Sequence, residues 1–181
     1  MGSANFGFLA VHDEKLVTLG GLAERYFRDD PSTAIVKLRR FAELTAKIVA
    51  ARHAAYRGEG DTFEETLRRL SYERIIPKEV ADIFHKLRKA GNVAVHEAKG
   101  GSTEALTALK FARSLGIWFH QTYGKKPDFN PGAFVPPPPP VDATASLRQE
   151  IEALRSRPAS RDRRGSCKAR LPYLLRQAAV C

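Results

Sequence analysis

The sequence predicts an all-α protein: an up-and-down bundle of four to five helices, followed by a Pro-rich linker and a disordered basic tail. Three observations carry this reading. Apolar residues recur at helical spacing through most of the first 124 positions. Helix-start and helix-stop chemistry punctuates them at short intervals, which favours antiparallel neighbours. No segment of this region shows the sustained period-2 alternation of β-branched residues that marks a sheet.

The elements follow in order. Leu16, Leu19, Leu22, Ala23, Tyr26 and Phe27 lie at helical spacing, with Gly20-Gly21 as a weak point where the segment can divide. Asp30-Pro31 restarts the chain, Asp as cap and Pro at the first helical position. Ala34, Leu38, Phe41, Ala42, Thr45, Ile48 and Val49 then mark a long amphipathic helix reaching about Ala55, with Lys37, Arg39, Arg40, Glu43 and Lys47 outward. After Gly58-Glu59-Gly60, Asp61-x-x-Glu64 reads as a capping box opening a short helix with Phe63, Leu67 and Leu70 on one side. Ile76-Pro77 begins another, with Val80, Ile83, Phe84 and Leu87 inward. Gly100-Gly101 closes it, and Ser102 can cap a last helix through Ala105, Leu106, Leu109, Ala112, Leu115, Trp118 and Phe119.

Composition changes after Gly124, so three regions are expected: a helical bundle over 5–124, a Pro-rich linker over 125–140, and a tail over 141–181. Pro136 through Pro140 should form a semi-rigid polyproline II spacer. In the tail, Leu147, Ile151 and Leu154 suggest a turn or two of amphipathic helix. The Arg-rich stretch beyond, broken by Pro158, Gly165 and Pro172, lacks the apolar content to order itself. Its abrupt change of character fits a shifted reading frame or an early end.

The net charge is +10, and residues 141–181 hold half of it, with nine basic against four acidic residues. A basic balance permits sequence-independent contact with nucleic acid; Arg39, Arg40, Arg68 and Arg69 are the body's candidate phosphate contacts, with a solvated helix face as the plainer alternative. Cys167 and Cys181 both lie in the tail, leaving the body without a disulfide framework or a cysteine metal site. No apolar run approaches the ~18–20 residues of a membrane span, and the N-terminus lacks the basic-then-apolar order of a signal peptide. A cytoplasmic protein with neither metal nor cofactor is expected.

The most informative stretch is Leu87-Arg88-Lys89-Ala90-Gly91-Asn92-Val93-Ala94-Val95-His96. On an unbroken helix His85, Arg88, Asn92 and His96 form one polar stripe. Asn92 and His96 suit either a structural pair bonding across the bundle, a nucleic-acid contact, or catalysis. Arg88 is expected to pair with an acid on a neighbouring helix such as Glu43. An inward polar stripe is also compatible with a two-fold homodimer interface.

Residues 5–140 resemble the helical domain of unknown function at the N-terminus of the R subunit of type I restriction–modification enzymes. Asn5-Phe6-x-Phe8-Leu9, Ala23-Glu24-Arg25-Tyr26-Phe27, Asp30-Pro31, Lys37-Leu38-Arg39, Phe84-His85-x-Leu87-Arg88, Gly91-Asn92-x-Ala94-x-His96, Trp118-Phe119 and Pro131-Gly132-x-Phe134-x-Pro136 carry the resemblance. It implies a non-catalytic module for complex assembly or DNA engagement in defence against foreign DNA, with methylation and specificity subunits as partners. The nuclease and helicase parts that follow in such subunits are missing: the chain has no G-x-x-x-x-G-K-[ST] loop. The nearest acid–Lys pair, Glu97-x-Lys99, stands at a helix end where no strand displays it.

More distantly, the region is similar to the HEPN superfamily, whose Arg-x4–6-His motif implies the alternative of a metal-independent endoribonuclease or nucleotide-binding domain. Catalysis would then use His96, Asn92 and Arg88, through acid–base help and charge stabilisation. Gly91 stands where the superfamily has Arg before Asn, and Arg88 lies eight residues from His96, ~12 Å along a helix. Closing that gap requires a kink at Gly91 or a second subunit.

Overall fold

The computed structural model describes residues 3–58, 60–97, 100–137 and 143–156, without the side chains of 96–97 and 143–146. Every regular element among them is helical: a 3₁₀ turn at Gly7–Val11, then α1 Glu14–Tyr26, α2 Pro31–Arg52, α3 Phe63–Tyr72, α4 Lys78–Glu97, α5 Ser102–Tyr123 and α6 Ala143–Arg155. The 3₁₀ turn and α1–α5 belong to one unit, residues 1–140, and α6 belongs to a second, 141–181. None of the described helices is long and apolar enough to cross a membrane. The Arg-rich stretch beyond Ser156, and Pro138–Pro140, lie outside the described residues.

The central helix is α2, which packs against α1, α3, α4 and α5. Its start follows from local chemistry: the Asp30 carboxylate accepts from the Thr33 amide at 2.9 Å, with Pro31 first in the helix. Ile35, Leu38, Phe41, Ala42, Ala46, Val49 and Ala50 are all buried, more than one stripe can hold, because neighbours flank the helix on several sides. Thr45 is buried too, its hydroxyl donating to the Phe41 carbonyl at 2.8 Å. The helix stops at Arg52, three residues short of the sequence expectation, since Ala54 turns left-handed (φ 54°) and the Ala55 amide reaches back to the Ala50 carbonyl at 2.8 Å.

Three other expectations shift. The capping box of α3 is Thr62 with Glu65, not Asp61 with Glu64: Thr62 Oγ1 accepts from the Glu65 amide at 3.2 Å, and Glu65 accepts from the Thr62 amide at 2.8 Å. Asp61 and Glu64 are occupied by arginines instead. Ser102 is the first residue of α5 rather than its cap; Gly101 precedes it, with no side-chain cap bond. Gly20-Gly21 does not divide α1 either. A Cβ at Gly20 would run into the ring of Phe6, so the missing side chain is what admits that ring to the core. Phe6 is fully buried and meets Phe41 edge-on, ring centroids 5.2 Å apart.

The segment after α5, read from sequence as the start of a linker, lies along the bundle through residue 135. Gln121 donates to the Phe129 carbonyl at 2.9 Å. Buried Arg113 donates to the carbonyls of Gly132 (2.8 Å) and Ala133 (3.2 Å). Asn5, also buried, exchanges two hydrogen bonds with the Val135 backbone, at 2.7 and 2.9 Å. The two ends of the family resemblance, Asn5-Phe6-x-Phe8-Leu9 and Pro131-Gly132-x-Phe134, are therefore one contact in space.

The two adjacent glycines of α1 should respond oppositely to alanine. Gly20→Ala is expected to destabilise by ~1–3 kcal/mol through overpacking against Phe6. Gly21→Ala, which among the described residues meets Ser3 alone, at ordinary contact distance, should be neutral or stabilising by ~0.5–1 kcal/mol through helix propensity. Urea unfolding of both variants checks this, and equal effects would refute the role given to Gly20.

Candidate functional site

The polar stripe lies on α4, which runs without interruption from Lys78 to Glu97. Gly91 thus introduces no break, and the ~12 Å rise between Arg88 and His96 stands. The reason for a glycine is a neighbour: a Cβ there would strike the aliphatic stem of Arg39 from α2, whose Cγ is 2.8 Å from that point. Arg39 occupies the space that a side chain at position 91 would need. Arg88, three residues earlier on the same face, donates to Glu64 on α3 at 3.0 Å, not to Glu43. Glu43 is bound by Lys47, four residues along its own helix, at 3.0 Å. The Nε atoms of Arg39 and Arg88 are both buried, and neither has a hydrogen-bond partner among the described residues.

Asn92 is half-buried on α4. The His96 backbone continues that helix, and its side chain lies outside the described residues. His85 is half-buried and lines an open groove of about 550 Å³ between α3 and α4, with Thr62, Glu64, Glu65, Arg68 and Ser71. A second open depression, about 430 Å³, is lined by Arg39, Arg40, Glu43, Leu44 and Lys47.

Arg68 and Arg69, adjacent in sequence, have different surroundings. Arg68 is exposed on the groove wall. Arg69 turns inward, donating to the Ala55 carbonyl at 2.6 Å and to Asp61 at 2.7 Å, so it fastens the α2–α3 loop. The hydrogen bond from Arg69, more than its charge, holds the Asp61 carboxyl below its usual range.

A second cluster went unseen in the sequence. His12, from the 3₁₀ turn, and His120, on α5, place Nε2 and Nδ1 3.0 Å apart. Arg52, at the end of α2, brings a guanidinium nitrogen to 3.5 Å from His12 Nδ1, and its guanidinium lies over the Phe119 and Tyr123 rings. His53 bonds the Tyr123 hydroxyl at 2.9 Å. Burial pushes both His12 and His120 below the ordinary histidine value; the neighbouring His120 and Arg52 add to this for His12, and Lys126 for His120. Burial pushes the Tyr123 phenol up. Residues 12 and 120 share no element or periodic pattern, so no sequence signal linked them. Among the described residues no three His, Cys, Asp or Glu side chains are grouped to hold a metal ion.

The model of a domain of unknown function, DUF4145, matches residues 22–123. The chain is also 31% identical over 137 residues to the type I restriction enzyme EcoKI endonuclease subunit of Escherichia coli strain K12. That alignment covers 76% of this chain but 12% of the subunit, so the chain spans a small part of the relative it resembles. No solved structure matches it.

The contact between Gly91 and Arg39 is directly testable. Gly91→Ala should destabilise by ~1–3 kcal/mol in the natural background. With Arg39→Gly also present, which removes the Cβ of residue 39 along with the rest of the stem, the same change should cost under ~1 kcal/mol. Chemical unfolding of the four-protein cycle measures the coupling, and strict additivity would refute the contact.

Proposed function

Because the chain belongs to the DUF4145 family, we propose that it serves as a non-catalytic module of a type I restriction system, contributing to complex assembly or DNA engagement. One observation carries this reading: neighbouring helices engage the middle of the α4 stretch, at Gly91 and Arg88. Arg39 from α2 fills the space over Gly91, and Glu64 from α3 neutralises Arg88. A guanidinium paired with a carboxylate and set ~12 Å along the helix from His96 is poorly placed to stabilise charge on the same phosphate.

The exposed bases suit a different task. Arg40 and Arg68 are exposed; Arg39 and Lys47, half-buried, line the α2 depression, the first with its stem over Gly91 and the second bonded to Glu43. Such side chains add counterion-release affinity for DNA phosphates without reading bases. Arg69, fastened to Asp61, contributes to the fold rather than to that surface. The likeness to the EcoKI endonuclease subunit supports a restriction enzyme as the setting; methylation and specificity subunits are then the partners to test by co-purification.

The rival reading, a metal-independent endoribonuclease or nucleotide-binding domain using Asn92 and His96, has in its favour that these residues stand four apart on one helix. Incubation of RNA with chelator present should give no cleavage attributable to His96. Cleavage that persists in chelator and disappears in His96→Ala would replace the module reading.

For DNA engagement, duplex affinity should fall with salt. Each of Arg40→Ala and Arg68→Ala should reduce the slope of log affinity against log salt by ~1 while affecting all sequences equally. Unchanged slopes in both variants would remove these residues from the interface.

A further inference from the structure

The His12–His120–Arg52 cluster takes no part in the proposed function. It is not arranged as an open ligand site, because the two imidazoles satisfy one another and His120 is 3% exposed. It does join three parts of the fold: the N-terminal turn, the end of α2 and the last turn of α5. We propose that the His12–His120 pair is a proton-operated clasp, whose neutral form holds the N-terminal segment and the 125–135 segment on α5, and which releases both as one unit on taking up a proton.

The hydrogen-bond partners of the pair fix how many protons it can hold. Four ring nitrogens are involved. His12 Nδ1 faces the Arg52 guanidinium, which can only donate, so this nitrogen must keep its lone pair. His12 Nε2 and His120 Nδ1 face each other at 3.0 Å and can hold one proton between them. The remaining nitrogen, His120 Nε2, can carry one more. The network therefore accommodates two protons, the neutral pair, and assigns both tautomers. His12 is the Nε2–H form donating to His120 Nδ1, and His120 is the Nε2–H form. A third proton has no place: it either sets His12 Nδ1–H against Arg52 or sets two N–H groups against each other.

The surroundings oppose that proton as well. The charged groups acting on the pair are cations, Arg52 on His12 and Lys126 on His120. His53 of α2 is engaged by the Tyr123 hydroxyl. Asp13, next to His12, accepts from the Lys15 amide as the cap of α1. Gly124 keeps the space between the rings open: a Cβ there would lie 3.3 Å from His120 Nδ1 and 3.4 Å from His12 Nε2.

Folded-state values below the ordinary 6.5 mean that the unfolded or released chain binds the proton more readily. The clasp is thus fully effective above 6.5 and weakens as pH falls below it. Release is joint because the two segments touch through the same ring. His120 packs on Phe8 (centroids 5.5 Å) and Phe129 (4.3 Å), which pack on each other at 5.0 Å. At their far ends Asn5 binds Val135.

Hydrogen exchange of the full chain at about pH 7.5 and about pH 5.5, corrected for intrinsic rates, tests the clasp. The amides of 5–12 and 128–135 should lose protection together at the lower pH, by at least about tenfold, while those of α2–α4 hold. Independent loosening of the two segments, or no loosening, overturns the proposal. In His12→Gln the difference between the two pH values should narrow, because only His120 is left to take up a proton; a difference as large as in the natural protein also overturns the proposal. Nitrogen-15 imidazole spectra of the natural chain at neutral pH give a readout that needs no variant. Both rings should be Nε2–H tautomers, and a His12 ring protonated at Nδ1 refutes the proton count.

Discussion

The side chain of Asn5 is the fastening on which the bundle's closed form depends. An amide this deeply buried must have its polar atoms bonded, since leaving them unpaired costs about 1–3 kcal/mol. Asn5 meets that demand as backbone would, donating to and accepting from Val135, and donating also to Glu24 of α1. Three remote parts of the chain meet there. With Asn5 held, Phe6 enters the core over Gly20, Leu9 lies against Gly116, and His12 reaches His120. Arg113 supports the other side of the closure by bonding the carbonyls of 132 and 133. These buried bonds matter more to the arrangement than the half-buried Lys47–Glu43 pair on the helix surface, a type that contributes ~0–1 kcal/mol.

Glycines set how closely the helices approach. Gly20 receives Phe6 and Gly91 receives the Arg39 stem, so positions that look like breaks in a sequence are where a neighbour comes nearest. This decides how α4 is read functionally. The stretch that carries the motif-like residues is clamped by α2 through Gly91 and by α3 through Glu64, while exposed bases lie on α2 and α3. The proposed binding module rests on this engagement of Arg88 and Gly91 beside the exposed bases.

Much of the fold was legible in the sequence because helix starts are local. Asp30-Pro31 caps α2 as its chemistry requires, and Val80, Phe84 and Leu87 face inward at helical spacing. Sequence and structure differ where a side chain has two candidate partners. Asp61 and Glu64 have the spacing of a capping box, yet Arg69 and Arg88 claim them, and the box forms one residue later. Glu43 was a reasonable partner for Arg88 until the α3–α4 packing brought Glu64 nearer.

The sequence alone determined the helical class, the order of the elements, the long amphipathic α2 and the placement of Asn92 and His96 on one helix. These depend on periodicity, caps and spacing within a few residues, where backbone geometry leaves little choice. Tertiary structure alone decided that Asn5 meets Val135 across 130 positions, that His12 meets His120 across 108, and that Gly91 houses Arg39. Such contacts follow from how helices pack, and the side chains that make them carry no mark in sequence of which distant residue will arrive.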